Sequence, residues 1–159
     1  ASSNQPSTLS EWSRPLRNQL PVLLAGISTV YSIMKTGADP ARDVKSVFKL
    51  HGVQALTILR LLGYDSPLGP LSHFVEVKPG EGKSLILGMA ALLFALLGFP
   101  VCCACYSKEL SNRDLAEFES LFEAFQVTDR VNYGTIMEFS QKQIAERGDI
   151  GDLTSSLIQ

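Results

Sequence analysis

Between residues 16 and 34 the apolar side chains Leu20, Leu23, Leu24, Ile27, Val30, Tyr31 and Met34 recur with a period near 3.6, which predicts a helix that Gly37 stops. Asp39–Pro40 reads as a cap and first-turn proline opening a second helix, with Val44, Val47, Phe48 and Val53 on its apolar face and Gly52 as a weak point. Gln54–Leu62 predicts a further helix ending at Gly63, and Tyr64–Pro70, with Asp, Ser, two prolines and a glycine, predicts a loop. The texture changes at Leu71. His73–Lys78 alternates and predicts a strand, Pro79–Gly82 a turn, Lys83–Leu97 a largely apolar helix that Gly98 ends, and Pro100–Tyr106 a strand buried on both faces. Ser111 is expected to cap a helix with Leu115, Phe118, Phe122 and Phe125 on its core side and Glu117, Glu119 and Glu123 on a solvated side. Arg130–Tyr133 predicts a third strand, and Thr135 with Glu138 forms a capping box for a last helix reaching about Arg147.

This alternation predicts an α/β fold with a parallel sheet of about three strands behind an N-terminal helical segment. Four stretches follow: a loose leader over 1–14, a helical segment over 15–70, a strand-and-helix subdomain over 71–147, and a polar tail over 148–159. Three strands are few for such a sheet, whose edges stay exposed unless the N-terminal helices or another chain cover them.

At 159 residues, 45% of them hydrophobic, the chain can build a core. Its net charge of −2 is unevenly spread: residues 1–70 carry 7 Lys/Arg against 4 Asp/Glu, and residues 71–159 carry 7 against 12. An acidic second half is a poor match for a phosphate backbone, so nucleic acid is not an expected partner. No apolar run reaches the roughly 18–20 residues that span a bilayer, so no membrane span is expected. Arg14 and Arg17 ahead of Leu20–Val30 imitate the start of a signal peptide, but that run lies far from residue 1 and lacks a clean cleavage site. Cys102, Cys103 and Cys105 are too close together to build a disulfide framework, which points to a reducing, cytoplasmic compartment. They also lack the two-to-four-residue spacing and local histidines of a metal site, since His51 and His73 are distant, and read as buried strand residues.

The chemistry centres on Gly80-Glu81-Gly82-Lys83-Ser84. Between a predicted strand and a predicted helix, this is the context of a phosphate-binding loop. Gly80 and Gly82 allow a tight turn and close approach to an anion, and the free N–H groups at the helix start face phosphate oxygens. Lys83 supplies a cation for the β- and γ-phosphates, and Ser84 a hydroxyl for Mg²⁺. The strict pattern G-x-x-x-x-G-K-[ST] requires glycine where Val77 stands, and a bare Gly-Lys-Ser can also be a chance surface turn.

Glu76-Val77-Lys78-Pro79-Gly80-Glu81-Gly82-Lys83-Ser84 resembles motif I of the SecA preprotein translocase ATPase family, E-M-R-T-G-E-G-K-T, which also lacks that first glycine. Further likenesses follow in the same order. Ser107-Lys108-Glu109-Leu110-Ser111-Asn112-Arg113-Asp114 is similar to N-D-Y-L-A-x-R-D, Tyr133-Gly134-Thr135-Ile136-Met137-Glu138-Phe139 to Y-G-T-N-N-E-F, and Val53-Gln54 to a V-Q pair whose glutamine reads adenine. The resemblance runs from about Phe48 to Arg147. It implies a P-loop NTPase (RecA-like) fold, ATP or ADP with Mg²⁺ as ligands at Gln54, Gly80, Glu81, Gly82, Lys83 and Ser84, and a role in ATP-driven movement of polypeptide. Departures include Lys78 and Pro79 for Arg and Thr, and Ile136 and Met137 for the two asparagines.

The acidic D-E-x-D strand end that hydrolysis needs does not follow Tyr133, and Asp149 and Asp152 lack a preceding strand. The expectation is therefore an incomplete domain, a piece of a longer protein, with little hydrolysis by this chain alone. Arg113 and Asp114 are read equally as helix-start residues or as coupling residues, and Thr135 with Glu138 as a cap before a catalytic pair. Two other functions stay open: a fragment of a DEAD-type RNA helicase, since Ser107-Lys108-Glu109-Leu110 also looks like P-T-R-E-L, and a non-catalytic nucleotide-binding interaction module.

Overall fold

The computed structural model describes residues 14–37, 48–66 and 69–147. They form α1 (Arg14–Gly37), α2 (Gly52–Leu61), α3 (Lys83–Leu96), β1 (Val101–Cys105), α4 (Lys108–Ala124), β2 (Val131–Thr135) and α5 (Ile136–Arg147). The strands pair in parallel, with Val101 opposite Val131 and Cys105 opposite Thr135. This is a mixed helix–strand architecture compatible with the α/β class.

The core lies where α3 meets the other elements. Its Met89, Leu92 and Leu93 are fully buried, as expected of a helix apolar all round. Each such side chain contributes about 1.5–3 kcal/mol on leaving water. Gly88 lets α4 come close: a Cβ there would lie 2.7 Å from the Phe118 ring. α1 contributes the predicted stripe, with Leu20, Leu24, Ile27 and Tyr31 buried. Tyr31 stacks on Phe118 at 5.7 Å between centroids and donates its hydroxyl to Glu117 Oε1 at 3.1 Å, tying α1 to α4. Burial and the neighbouring Glu117 charge raise the Tyr31 pKa, so the phenol stays a donor.

Three expectations are corrected. His73–Lys78 is not a strand, so the sheet has two strands instead of three among the described residues. Alternation marks which side chains share a face but does not supply a neighbour to pair with, and here Phe74 stands fully exposed. β1 is not buried on both faces: Cys103 faces the helices, whereas Cys102 and Ala104 are exposed. The cap of α4 is Ser107, whose Oγ accepts from Leu110 N at 3.3 Å; Ser111 lies inside the helix and is buried. Among the described residues, Leu16–Gly37 is long and apolar enough to cross a membrane by length and composition, a test that the core helix of a globular domain also passes. One face of that helix is nevertheless spent on the protein core.

The predicted helix opening at Asp39–Pro40, with Val44 and Val47, lies outside the described residues, as do most of the 1–14 leader and all of the 148–159 tail with Asp149 and Asp152. Phe48 is described and is not helical.

Candidate functional site

Lys78-Pro79-Gly80-Glu81 forms a tight turn closed by Glu81 N donating to Lys78 O at 3.2 Å. Proline second and a glycine of φ +83° third are the chemistry of a type II turn. Gly82 then caps α3 in the left-handed conformation, with φ +78° and ψ +51°. The first intrahelical bond of α3 is Ile86 N to Gly82 O, and no side chain caps the helix. The N–H groups of Lys83, Ser84 and Leu85 thus have no intrahelical partner and stand at the positive end of the helix dipole.

Lys83 folds back over this turn, donating its ammonium to Val77 O at 3.1 Å and Lys78 O at 3.2 Å. Those bonds hold the cation beside the free N–H groups while the side chain remains exposed. With three donors on a flexible stem, it can exchange carbonyl partners for an anion at small cost.

Gln54, buried to 7% exposure, joins α2 to this loop. Its Oε1 accepts from His51 N at 3.0 Å at the start of α2, and its Nε2 donates to Glu81 O at 2.9 Å. One amide hydrogen and one lone pair remain unused. A cavity of about 510 Å³ opens beside it, walled by His51, Val53, Gln54, Pro79, Gly80 and Glu81. A larger apolar cavity, about 800 Å³, lies along α1. It is far poorer in chemistry: the hydroxyls of Ser28, Thr29 and Thr36 on its wall are spent on carbonyls of their own helix.

Ser84, in the first turn of α3, ties the loop to α4. Its Oγ donates to Asp114 Oδ1 at 3.0 Å, and Arg113 Nη2 reaches that hydroxyl at 3.3 Å. Arg113 also bonds Asp114 Oδ1 through Nε at 3.0 Å and Nη2 at 2.6 Å. The carboxylate keeps the exposed guanidinium firmly protonated by hydrogen bond and charge. The structure thus brings Gln54, Gly80, Glu81, Gly82, Lys83 and Ser84 to one place and adds Arg113 and Asp114, which stand 29 and 30 residues further along the chain. Nothing in local patterning announces Asp114; its only signal was the N-R-D-containing segment of the family likeness.

Ser84 offers an oxygen donor, the kind that suits Mg²⁺, and a phosphate-bound Mg²⁺ needs few protein ligands. Among the described residues no group of three or more His, Cys, Asp or Glu could hold a metal by itself. The three cysteines are free: Cys102 exposed, Cys103 buried and Cys105 between the two. Burial pushes the Cys103 thiol up to about 11 and also raises that of Cys105, so both stay protonated at neutral pH.

Thr135 and Glu138 form a cap. Glu138 Oε2 accepts from Thr135 N at 2.8 Å, Glu138 N donates to Thr135 Oγ1 at 3.2 Å, and Lys108 Nζ lies 3.3 Å from Glu138 Oε1, joining the starts of α4 and α5. The Thr135 N–H and the Lys108 charge lower the Glu138 pKa.

Compared with known families, residues 68–151 match the model of the SecA DEAD-like domain, which is more than half of the chain. The match covers the loop, α3, β1, α4, β2 and α5. No curated protein and no solved structure matches the chain.

Proposed function

The chain belongs to the SecA DEAD-like domain family, and from that premise we propose that it binds ATP or ADP with Mg²⁺ at Gly80–Ser84, as the nucleotide-binding part of a SecA-like motor that moves polypeptide. The observation that carries this reading is the start of α3, where three unpartnered N–H groups and the Lys83 ammonium converge behind two left-handed glycines. A di- or triphosphate matches that arrangement in charge and in hydrogen-bond sense. On this reading the loop is a P-loop in a RecA-like fold. The phosphates replace Val77 O and Lys78 O as partners of Lys83, and the adenine occupies the cavity beside Gln54 with the remaining amide capacity of that residue as its reader. Mg²⁺, when bound, neutralises phosphate charge and is met by the Ser84 hydroxyl.

Hydrolysis is not assigned to this chain alone. In the described residues β2 runs straight into the Thr135 cap of α5, without an acidic pair at its end. The protein partner is a polypeptide or further domains of the same protein, in the cytoplasm, and the acidic character of residues 71–159 disfavours nucleic acid.

Calorimetric titration of the chain with ADP in MgCl₂, beside a titration with single-stranded RNA at low and high salt, tests the proposal. The expected result is saturable ADP binding and no RNA binding. Salt-dependent RNA binding would favour a DEAD-type helicase, and absence of ADP binding would remove the nucleotide reading.

A further inference from the structure

A phosphate-binding loop requires the Ser84 hydroxyl but gives no reason for a buried carboxylate next to it. Asp114 is 7% exposed and lies inside α4, where aspartate has low helix propensity and burial of its charge is costly. Among the described residues it is neither the cap of α4, which is Ser107, nor a partner of any backbone N–H. All its donors come from Ser84 and Arg113, and all converge on Oδ1; Oδ2 takes no hydrogen bond among the described residues.

We propose that Asp114 is a positioning residue for the divalent cation: it takes the single proton of the Ser84 hydroxyl and so turns the oxygen lone pairs toward the bound nucleotide. The inference rests on the nucleotide reading of the loop.

A hydroxyl has one hydrogen and two lone pairs, and it serves a cation only when the hydrogen points away. Left alone, the Ser84 Oγ–H would rotate to any acceptor within reach, water included. The bond to Asp114 at 3.0 Å removes that freedom. Arg113 holds the carboxylate in place with two hydrogen bonds and offsets its charge, while its own contact to Ser84 is the long one at 3.3 Å. The Arg113 side chain is 62% exposed, so that contact yields to a cation at little cost. Asp114 acts through Ser84 and is not itself a ligand.

The test compares ADP affinity in MgCl₂ with ADP affinity in EDTA for the whole chain, as wild type, Asp114→Ala, Asp114→Asn and Asp114→Glu, each checked for folding by thermal melt. Wild type is expected to gain about tenfold in affinity from Mg²⁺, the size of one charge-assisted contact. Asp114→Ala is expected to lose most of that gain and to keep its affinity in EDTA. Asp114→Asn, which preserves an acceptor for the Ser84 hydroxyl in the same place, is expected to retain most of it. Should Asp114→Ala fail to fold, Asp114→Glu replaces it, because the longer side chain moves the acceptor and is expected to lose the gain too. Three results would overturn the inference: a full Mg²⁺ gain in Asp114→Ala or Asp114→Glu, an equal loss with and without Mg²⁺, or a wild type that binds ADP equally well in EDTA. A wild type that binds no ADP in either buffer would overturn the nucleotide reading itself.

Discussion

The Nε2 of Gln54 donates to the carbonyl oxygen of Glu81 at 2.9 Å, across 27 residues of chain. This bond joins α2 to the turn in which Gly80 and Gly82 precede Lys83, the first residue of α3. It also fixes the free side of the loop: with the Glu81 carbonyl directed at Gln54, the N–H groups of Lys83, Ser84 and Leu85 are left for another partner. Gln54 is thus first a structural clasp, and only its remaining hydrogen and lone pair are available to a ligand.

Gly82→Ala is expected to break that clasp. The left-handed φ of +78° costs an alanine about 1–2 kcal/mol. Its Cβ would also lie 2.6 Å from Gln54 Nε2, which is held by its bond to Glu81 and cannot withdraw without losing about 1 kcal/mol. Urea unfolding should show a loss of about 2–3 kcal/mol. An unchanged midpoint would mean that the loop is free to rearrange.

Gly88→Ala sets two opposed effects against each other. Replacing glycine inside a helix gains up to about 1 kcal/mol. The new Cβ would meet three atoms of the fully buried Phe118 ring at 2.7 Å, and overpacking of this kind costs about 1–3 kcal/mol. The second effect is expected to win, so thermal unfolding should show a lower midpoint than wild type. A higher midpoint would place α3 and α4 further apart than described.

Acid should weaken the start of α5. The Glu138 pKa is lowered in the folded chain, mainly by the Thr135 N–H, from an ordinary value of 4.5. A depressed folded-state value stabilises the fold above that ordinary value, and the contribution is lost as pH falls through the lowered one. Glu138→Gln should therefore melt below wild type at neutral pH, and the gap should close in acid. A gap that widens in acid would contradict the cap.

Local patterning located what depends on local chemistry. The stripe of Leu20, Leu24, Ile27 and Tyr31, the stop at Gly63, the end of α3 before Gly98 and the Thr135–Glu138 box all arise from residues within a few positions of one another. The glycines of the loop belong to the same class, since their positive φ is set by the turn itself. What patterning missed depends on distant partners. His73–Lys78 alternates as a strand would but has no ladder beside it, and the burial of β1 differs between its faces because Cys103 packs into the core whereas Ala104 opens onto a cavity beside α5. Ser107 displaced Ser111 as the cap because β1 ends sooner and α4 begins one turn earlier than the apolar spacing indicated. The contact of Asp114 with Ser84 spans 30 residues and follows from the packing of α4 on α3, which no window of sequence contains.

The central claim is that the bend before α3 binds the phosphates of an adenine nucleotide through its backbone and Lys83. Titration calorimetry of wild type and Lys83→Ala with ADP in MgCl₂, under identical conditions and with melting curves to confirm that both are folded, tests it most directly. The account predicts binding by wild type and at least about a tenfold loss in Lys83→Ala, the scale of one charge-assisted contact. Equal affinity in the two proteins would contradict it.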